Sequence, residues 1–228
     1  MFYLLDSFCM SITYVLNFDC SFESLIVFSF MSISDRQLEE RKMRQDRILS
    51  GALEVFKSKG LEKATMDEIA SESGFGKATL YYYFHSKEEV FAAILENGWE
   101  ILWTSLEPVI SGNEGPRQTF VNVLLKIAEN AKNRPGLFEF LFNAPKLMQF
   151  ESQPWKKYQH RMYGTIQGLL EDGIRVGEFP KLDPQLLFKA MGGLFMGLVL
   201  MGDRKEPVSA RDVEELINQL ITDPTKAE

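Results

Sequence analysis

Between Thr65 and Lys87, the sequence places ammonium and hydroxyl groups close together along the chain. Lys77 and Thr79 are followed by three consecutive tyrosines, residues 81–83. Three adjacent tyrosines fill a core poorly, because each buried hydroxyl needs a hydrogen-bond partner. On a surface, the same groups can bind phosphate oxygens and the edges of bases. The stretch therefore indicates a surface that meets nucleic acid.

Two short helices are expected to carry these groups. Thr65 and Glu68 form a capping-box pattern that opens the first helix, and Gly74 ends it. A second helix follows over KATLYYYF, after a short turn that contains glycine. Two short helices joined in this way are the geometry of a helix-turn-helix, which we predict at about residues 64–83.

Charge is distributed unevenly along the 228 residues, whose net charge is −7. This balance excludes a uniformly basic coat for nucleic acid. Residues 36–87 nevertheless carry ten Lys and Arg against eight Asp and Glu, whereas the segments on either side are acidic. The asymmetry indicates one segment that meets a polyanion. A solvated helix face with a chance imbalance of charge is the alternative.

The rest of the chain has the apolar periodicity of helices, and no run alternates with a period of two for more than a few residues. Ser86 with Glu89 forms a second capping pattern before a long apolar stripe. Prolines stand where further helices can begin, at Pro116, Pro135, Pro154 and Pro184. We therefore predict an all-α fold of about nine helices.

Groups that could perform catalysis or hold a metal are not gathered anywhere in the sequence. His85 and His160 lie on different predicted helices, and Cys9 and Cys20 both precede them at a distance. The segment GFGKAT lacks the first glycine of a phosphate-binding loop. We predict no catalytic residues, no metal site and no cofactor, and hence a protein that is not an enzyme.

The segment GALEVFKSKGLEKATMDEIASESGFGKATLYYYFHSKEEVFAAIL resembles the DNA-binding domain of the TetR family of bacterial transcriptional regulators. The resemblance includes the turn glycine, the Thr-Leu-Tyr of the second helix and the Phe-x-Ser-Lys-Glu that follows. It implies a three-helix DNA-binding domain at about residues 41–101 and a helical effector-binding and dimerisation domain at 102–228. It also implies a cytoplasmic, nucleoid-associated homodimer that binds a palindromic operator in double-stranded DNA. A repressor released by its ligand is favoured, and an activator with the same fold is the alternative.

The resemblance also implies which residues contact DNA: Thr65, Lys77, Ala78, Thr79, Tyr81, Tyr82 (at the position that meets a base or sugar) and Lys87. Thr65, Tyr81 and Lys87 match phosphate contacts of the family. Residues 77–79 lie where side chains reach the major groove. There the methyl group of Ala78 can touch a thymine methyl but cannot form a hydrogen bond.

The middle helices are rich in aromatic residues and methionine. Such a stripe is usually plain core, but this composition also suits an adaptable apolar pocket, as in the effector sites of the family. We expect a small apolar or amphipathic effector there. The predicted lining is Trp99, Trp103, Phe138, Phe142, Tyr158 and Met162.

The run LLFKAMGGLFMGLVLM carries three glycines inside a predicted helix, where each costs about 1 kcal/mol relative to alanine. Lys189 interrupts the run, which is too short to span a membrane. The glycines are understandable if another helix approaches closely, and the resemblance implies a dimer interface from the last two helices. Packing within one chain is the alternative. The predicted interface residues are Gly193, Leu194, Gly197, Val213, Leu216 and Ile217.

Residues 1–30 differ from everything after them, because twenty of the thirty are apolar and none is Lys or Arg. They lack the positive region of a signal peptide, and Asp6, Asp19 and other polar residues interrupt any membrane span. We expect the working protein to start at or near Met31, with residues 1–35 outside the fold. A functional extension, such as a membrane tether, is the alternative.

Overall fold

The computed structural model describes residues 33–143, 154–201 and 209–220, and the expectation for residues 1–30 lies outside them. This part of the chain is helical, without strands, as predicted. Its nine helices are α1 (Ile33–Lys63), α2 (Met66–Ser73), α3 (Lys77–Tyr83), α4 (Lys87–Ile110), α5 (Pro116–Asn133), α6 (Pro135–Asn143), α7 (Lys156–Arg175), α8 (Pro184–Met201) and α9 (Ala210–Leu220).

The structure divides between Arg47 and Ile48 into two units. In the first unit, the described chain is the largely exposed and charged start of α1. Arg44 there forms a surface ion pair with Glu40 at 3.4 Å. The second unit holds the remainder of α1 and the other eight helices.

Side-chain caps begin several helices where the sequence predicts them. Before α2, the Thr65 hydroxyl accepts a hydrogen bond from the Glu68 amide, and the Glu68 carboxylate accepts one from the Thr65 amide. Before α4, the Ser86 hydroxyl accepts from the Glu89 amide in the same way. The Glu89 carboxylate, however, accepts from the amide of His85 rather than that of Ser86. Both arrangements satisfy amide groups that a helix start leaves without partners.

Helix α5 is central to the helices that follow the first three, and it packs against α4, α6, α7, α8 and α9. Its apolar face, including Phe120, Leu124 and Ile127, is buried. At its start, the backbone amide of Arg117 donates to the Glu178 carboxylate at 2.8 Å, and the guanidinium donates to the Glu178 carbonyl at 3.1 Å. These bonds hold the loop between α7 and α8 against the beginning of α5.

Candidate nucleic-acid interface and ligand cavity

Helices α2 and α3 form the predicted helix-turn-helix. Gly74 caps α2 in the left-handed conformation with φ 72°, which glycine adopts without a Cβ penalty. The amide of Phe75 then donates to the carbonyl of Ala70 at 2.9 Å, which completes the end of the helix. Ile69 and Leu80, one from each helix, are fully buried. The two short helices are thus fixed by a glycine turn and a shared apolar contact.

Gly51 allows α1 to approach α2 closely, which sequence reasoning missed. A Cβ at Gly51 would lie 2.7 Å from the backbone nitrogen of Ser73 and 2.8 Å from its Cα. The Ser73 side chain is buried and donates to the carbonyl of Ile69 at 2.7 Å. A glycine inside a helix that faces small residues is the only signal that the sequence gives for this contact.

Lys77 links α3 to the first turn of α2, and Lys87 links α4 to the end of α1 and the residue that follows it. The Lys77 ammonium, at the start of α3, lies 2.6 Å from the Asp67 carboxylate in the first turn of α2. The Lys87 ammonium, at the start of α4, donates to the carbonyls of Glu62 and Ala64 at 2.8 and 3.0 Å. An ammonium group and the amides at a helix start can both bind anions such as phosphate.

The predicted contact residues on α3 differ in exposure. Tyr82 is 69% exposed and Tyr81 46% exposed, so both present themselves to solvent. Ala78 is also exposed, whereas Thr79 is half-buried. The ring of Tyr83 packs edge-on against that of Tyr82, with 5.2 Å between centroids. Exposed side chains on a short helix can contact the bases when that helix lies in the major groove of DNA.

Two groups at this surface have perturbed acidity. The hydrogen bond and charge of Asp67 raise the pKa of Lys77, which therefore stays an ammonium at physiological pH. Hydrogen bonds from Lys59 and Thr65 lower the pKa of Glu68, with 2.6 Å between the Lys59 nitrogen and the carboxylate. Glu68 therefore stays ionised and keeps its role in the cap of α2.

A cavity of about 330 Å³ lies among α5, α6, α7 and α8. Its wall is formed by apolar side chains and glycines, with Tyr163 and Lys189 as the residues that carry a polar head. Of the six side chains predicted to line a pocket, Phe142 and Met162 do so. Burial raises the pKa of Tyr163, so this phenol is neutral at physiological pH.

The other four predicted lining residues lie outside the cavity wall. Trp99 and Phe138 are buried in the core, where the ring of each packs at a tilt against that of Phe142, with centroids 5.1 and 4.6 Å apart. Trp103 and Tyr158 instead donate hydrogen bonds to glutamates of α4. The Trp103 indole donates to Glu107 at 2.6 Å, and the Tyr158 hydroxyl donates to Glu100 at 2.9 Å.

The predicted interface residues fall into two groups. Gly193 and Leu194 of α8 are exposed, and no described atom lies within 4 Å of where a Cβ at Gly193 or Gly197 would be. Val213 and Ile217 of α9 are instead 3% and 1% exposed in the single chain. These two pack inside the subunit, so they leave no surface for a partner.

The sixth predicted interface residue, Leu216 of α9, is partly exposed and lies between the two buried residues of its helix.

No helix within the described ranges has the length and apolar character needed to cross a membrane. The same ranges hold no group of three His, Cys, Asp or Glu residues placed to bind a metal ion.

Comparison with known proteins supports the interpretation of the helix-turn-helix. Residues 48–94 match the family model for bacterial regulatory proteins of the tetR family. YfiR of Bacillus subtilis strain 168, an uncharacterized HTH-type transcriptional regulator, is 30% identical over 155 residues, covering 64% of this chain and 73% of YfiR. IcaR of Staphylococcus aureus strain Newman, a negative transcriptional regulator of the biofilm operon icaADBC, is 27% identical over 130 residues, covering 55% of this chain and 62% of IcaR.

A solved structure shares the fold. The transcriptional regulator FadR of Bacillus subtilis, in complex with stearoyl-CoA, superimposes with a TM-score of 0.63 at 20% identity, covering 77% of this chain and 97% of FadR. These proteins are transcriptional regulators, and the helix-turn-helix described above lies within the matched residues. The chain therefore belongs to the TetR family of DNA-binding transcriptional regulators, with an N-terminal helix-turn-helix domain and a C-terminal helical domain.

Proposed function

We propose that the protein is a repressor that binds a palindromic operator as a homodimer and leaves it when a small apolar or amphipathic ligand fills the cavity. The observation that carries this proposal is the presence, in one chain, of a helix-turn-helix with exposed tyrosines and a separate apolar cavity of about 330 Å³. The similarity to IcaR, a negative regulator, favours repression over activation. FadR was solved with stearoyl-CoA, so a protein of this fold can hold a small organic ligand.

The DNA-binding domain of the proposal spans about residues 41–101. Lys77, Ala78 and Thr79 would meet base edges, and Tyr82 a base or sugar. The phosphate contacts would come from Thr65, Tyr81 and Lys87. The exposure of Lys77, Tyr81 and Tyr82 on α3 supports this assignment, because DNA can reach these side chains without any change in the packing of the domain.

The effector-binding and dimerisation domain would span residues 102–228. The open side of α8, at Leu194 and Gly197 with Gly193 at its edge, is the surface we assign to the second subunit. Gly193 also lines the cavity. A twofold dimer presents two helix-turn-helix motifs to half-sites about 10 bp apart or modestly further. The ligand would shift the population towards a spacing of the two motifs that no longer fits the operator. Such a regulator acts in the cytoplasm, at the nucleoid, and needs no catalytic residue or cofactor.

The experiment is a gel-shift titration with DNA from immediately upstream of the protein's own gene. We expect a complex with two chains per duplex, and strong weakening when one half-site is scrambled. Binding that ignores the scrambled half-site would contradict the palindromic operator. A reporter gene fused to the regulated promoter then distinguishes repression from activation. Deletion of the regulator raises reporter expression if the protein is a repressor and lowers it if the protein is an activator.

A further inference from the structure

The cavity among α5–α8 has one charged residue on its wall within the described residues. Lys189 lies on α8 beside Phe188 and Gly192, and its side chain is exposed, so its ammonium marks the rim rather than the interior. Tyr163 supplies the other polar head, which is a neutral phenol that shares a hydrogen bond with Gln159. No described carboxylate lines the cavity.

Lys189 has no partner for its charge in the described part of the chain. Two cations of α7 differ in this respect, since Lys157 pairs with Glu96 at 3.1 Å and Arg161 with Glu107 at 3.6 Å. An unpaired ammonium at the mouth of an apolar cavity attracts an anion and repels a cation. The cavity therefore has an apolar interior and one positively charged group at its rim.

From this arrangement, and resting on the proposed ligand-controlled function, we infer that the ligand is a single-chain amphiphile whose anionic head binds Lys189 and whose chain fills the cavity. The volume of about 330 Å³ is at the small end of the range for ligand pockets. At roughly 30 Å³ per water-sized group, it accommodates a chain of about ten carbon atoms. The anionic head is the carboxylate of a free fatty acid or the phosphates of the coenzyme A in an acyl-coenzyme A thioester.

The test compares ligands with the same ten-carbon chain and different heads, by calorimetric titration of the full chain. Decanoate and decanoyl-CoA represent the two anionic sources, decanol is neutral, and decyltrimethylammonium is cationic. We expect one of the two anionic ligands to bind about tenfold more tightly than decanol, and the cation to bind more weakly still. Whichever anionic ligand binds better identifies the source.

Substitution of Lys189 makes the test specific. Lys189→Gln should lose about tenfold in affinity for the anion and leave decanol unchanged, and Lys189→Glu should reverse the order of anion and cation. Unchanged decanol binding shows that each variant is folded. Lys181→Glu is the matched control, because Lys181 is exposed and lies outside the cavity wall. The control variant should bind the four ligands in the same order of affinity as the wild type.

Two further ligands test the size of the cavity. Octanoate and decanoate should bind more tightly than palmitate, and Gly192→Leu should shift the preference to the shorter acid. A Cβ at Gly192 has open space around it, so leucine there can fill the cavity without a clash. A preference for palmitate would overturn the size of the ligand that we infer.

The outcomes separate this inference from the function on which it rests. Equal affinity for decanoate, decanoyl-CoA and decanol, or a Lys189→Glu variant that keeps the ligand order of the wild type, would overturn the anionic head. The cavity would then still be a ligand site. If none of the ligands binds the wild type although it binds its operator, the proposed ligand control fails and this inference fails with it.

Discussion

The ammonium of Lys77 lies 2.6 Å from the carboxylate of Asp67, so the first residue of α3 is paired with the first turn of α2. Both side chains are more than half exposed, and an exposed pair of this kind stabilises a protein by only about 0–1 kcal/mol. The pair matters more for DNA binding than for stability. It holds against a carboxylate the ammonium of a lysine that we assign to the major groove, so Asp67 competes with DNA for Lys77.

For this lysine, we expect Lys77→Ala to weaken operator binding and to change which bases are preferred, because we assign its ammonium to base edges. The free energy of unfolding should change by less than about 1 kcal/mol. Selection from a randomised half-site, compared with the wild type, measures the preference. An unchanged preference in the variant would remove Lys77 from the base contacts.

Asp67 gives the complementary prediction. Asp67→Asn removes a negative charge beside the DNA and frees Lys77, so we expect stronger binding to all sequences and a steeper dependence on salt. The slope of log affinity against log salt should steepen by up to about 0.9 per subunit. Glu72→Gln, at an exposed position on the same helix, is the control for the loss of a carboxylate. Weaker binding by Asp67→Asn would mean that the pair positions Lys77 for DNA.

Lys87 is expected to have two roles, since its ammonium bonds to the carbonyls of Glu62 and Ala64 and retains a third donor for phosphate. Lys87→Ala should lower the salt slope by about 0.9 per subunit and reduce affinity equally for all sequences. It should also reduce the free energy of unfolding by about 1 kcal/mol, because two carbonyls lose their donor. Urea denaturation measures the second effect. A loss of stability without any change in salt slope would leave Lys87 a structural residue.

The contact between Gly51 and Ser73 predicts a strong effect of a single methyl group. Gly51→Ala should reduce the free energy of unfolding by about 1–3 kcal/mol, because backbone atoms that cannot move easily lie within 3 Å of the new Cβ. Gly164→Ala on α7 is the matched control. Open space surrounds that position, so the same change should stabilise by up to about 1 kcal/mol. Thermal denaturation of both variants decides whether the helix contact is as tight as described.

A substitution on the open side of α8 is expected to affect self-association without affecting the stability of the subunit. Gly197→Leu should leave the subunit as stable as the wild type, since no described atom lies within 4 Å of the added Cβ. If a second subunit approaches at this residue, however, the leucine should weaken the dimer by about 1–3 kcal/mol. Sedimentation equilibrium at several concentrations measures the association. An intact dimer in this variant would assign the interface to another surface.

Glu68 predicts a dependence of stability on pH. Because its pKa is lowered from the ordinary value of 4.5, first by the hydrogen bond from Lys59, its ionised form stabilises the fold above that value. This contribution is lost as the pH falls below 4.5 through the lowered pKa. Glu68→Gln should therefore lose less stability than the wild type between about pH 6 and about pH 3. The urea midpoint at each pH provides the measurement, and equal losses in both proteins would contradict the linkage.

Local patterns predicted the helix-turn-helix well, for a physical reason. The Thr65–Glu68 cap and the turn at Gly74 depend on residues a few positions apart, and such interactions form in the same way in many contexts. The pairing of Asp67 with Lys77 and the contact of Gly51 with Ser73 cross from one helix to another. Their geometry depends on how the helices cross, which periodicity does not report.

The same reason explains the mixed outcome for the cavity. Aromatic residues on α4 and α7 indicated an apolar interior, but the sequence does not say which of them face each other. Trp103 and Tyr158 carry polar atoms that bond to glutamates of α4, and they therefore lie away from the cavity. Lys189 was visible as the one charge in an apolar run. Only the packed structure puts it at the rim of a cavity.

Helix α8 has two sides with different neighbours. Gly192 is part of the cavity wall, whereas Leu194 is exposed and Gly197 has open space beside it. A ligand in the cavity and a second copy on the open side would therefore act on one helix. Thermodynamic reciprocity then requires that a ligand which changes the self-association constant by some factor has its own affinity changed by that same factor. The concentration of the regulator in the cell would thus set how sensitively it responds to its ligand.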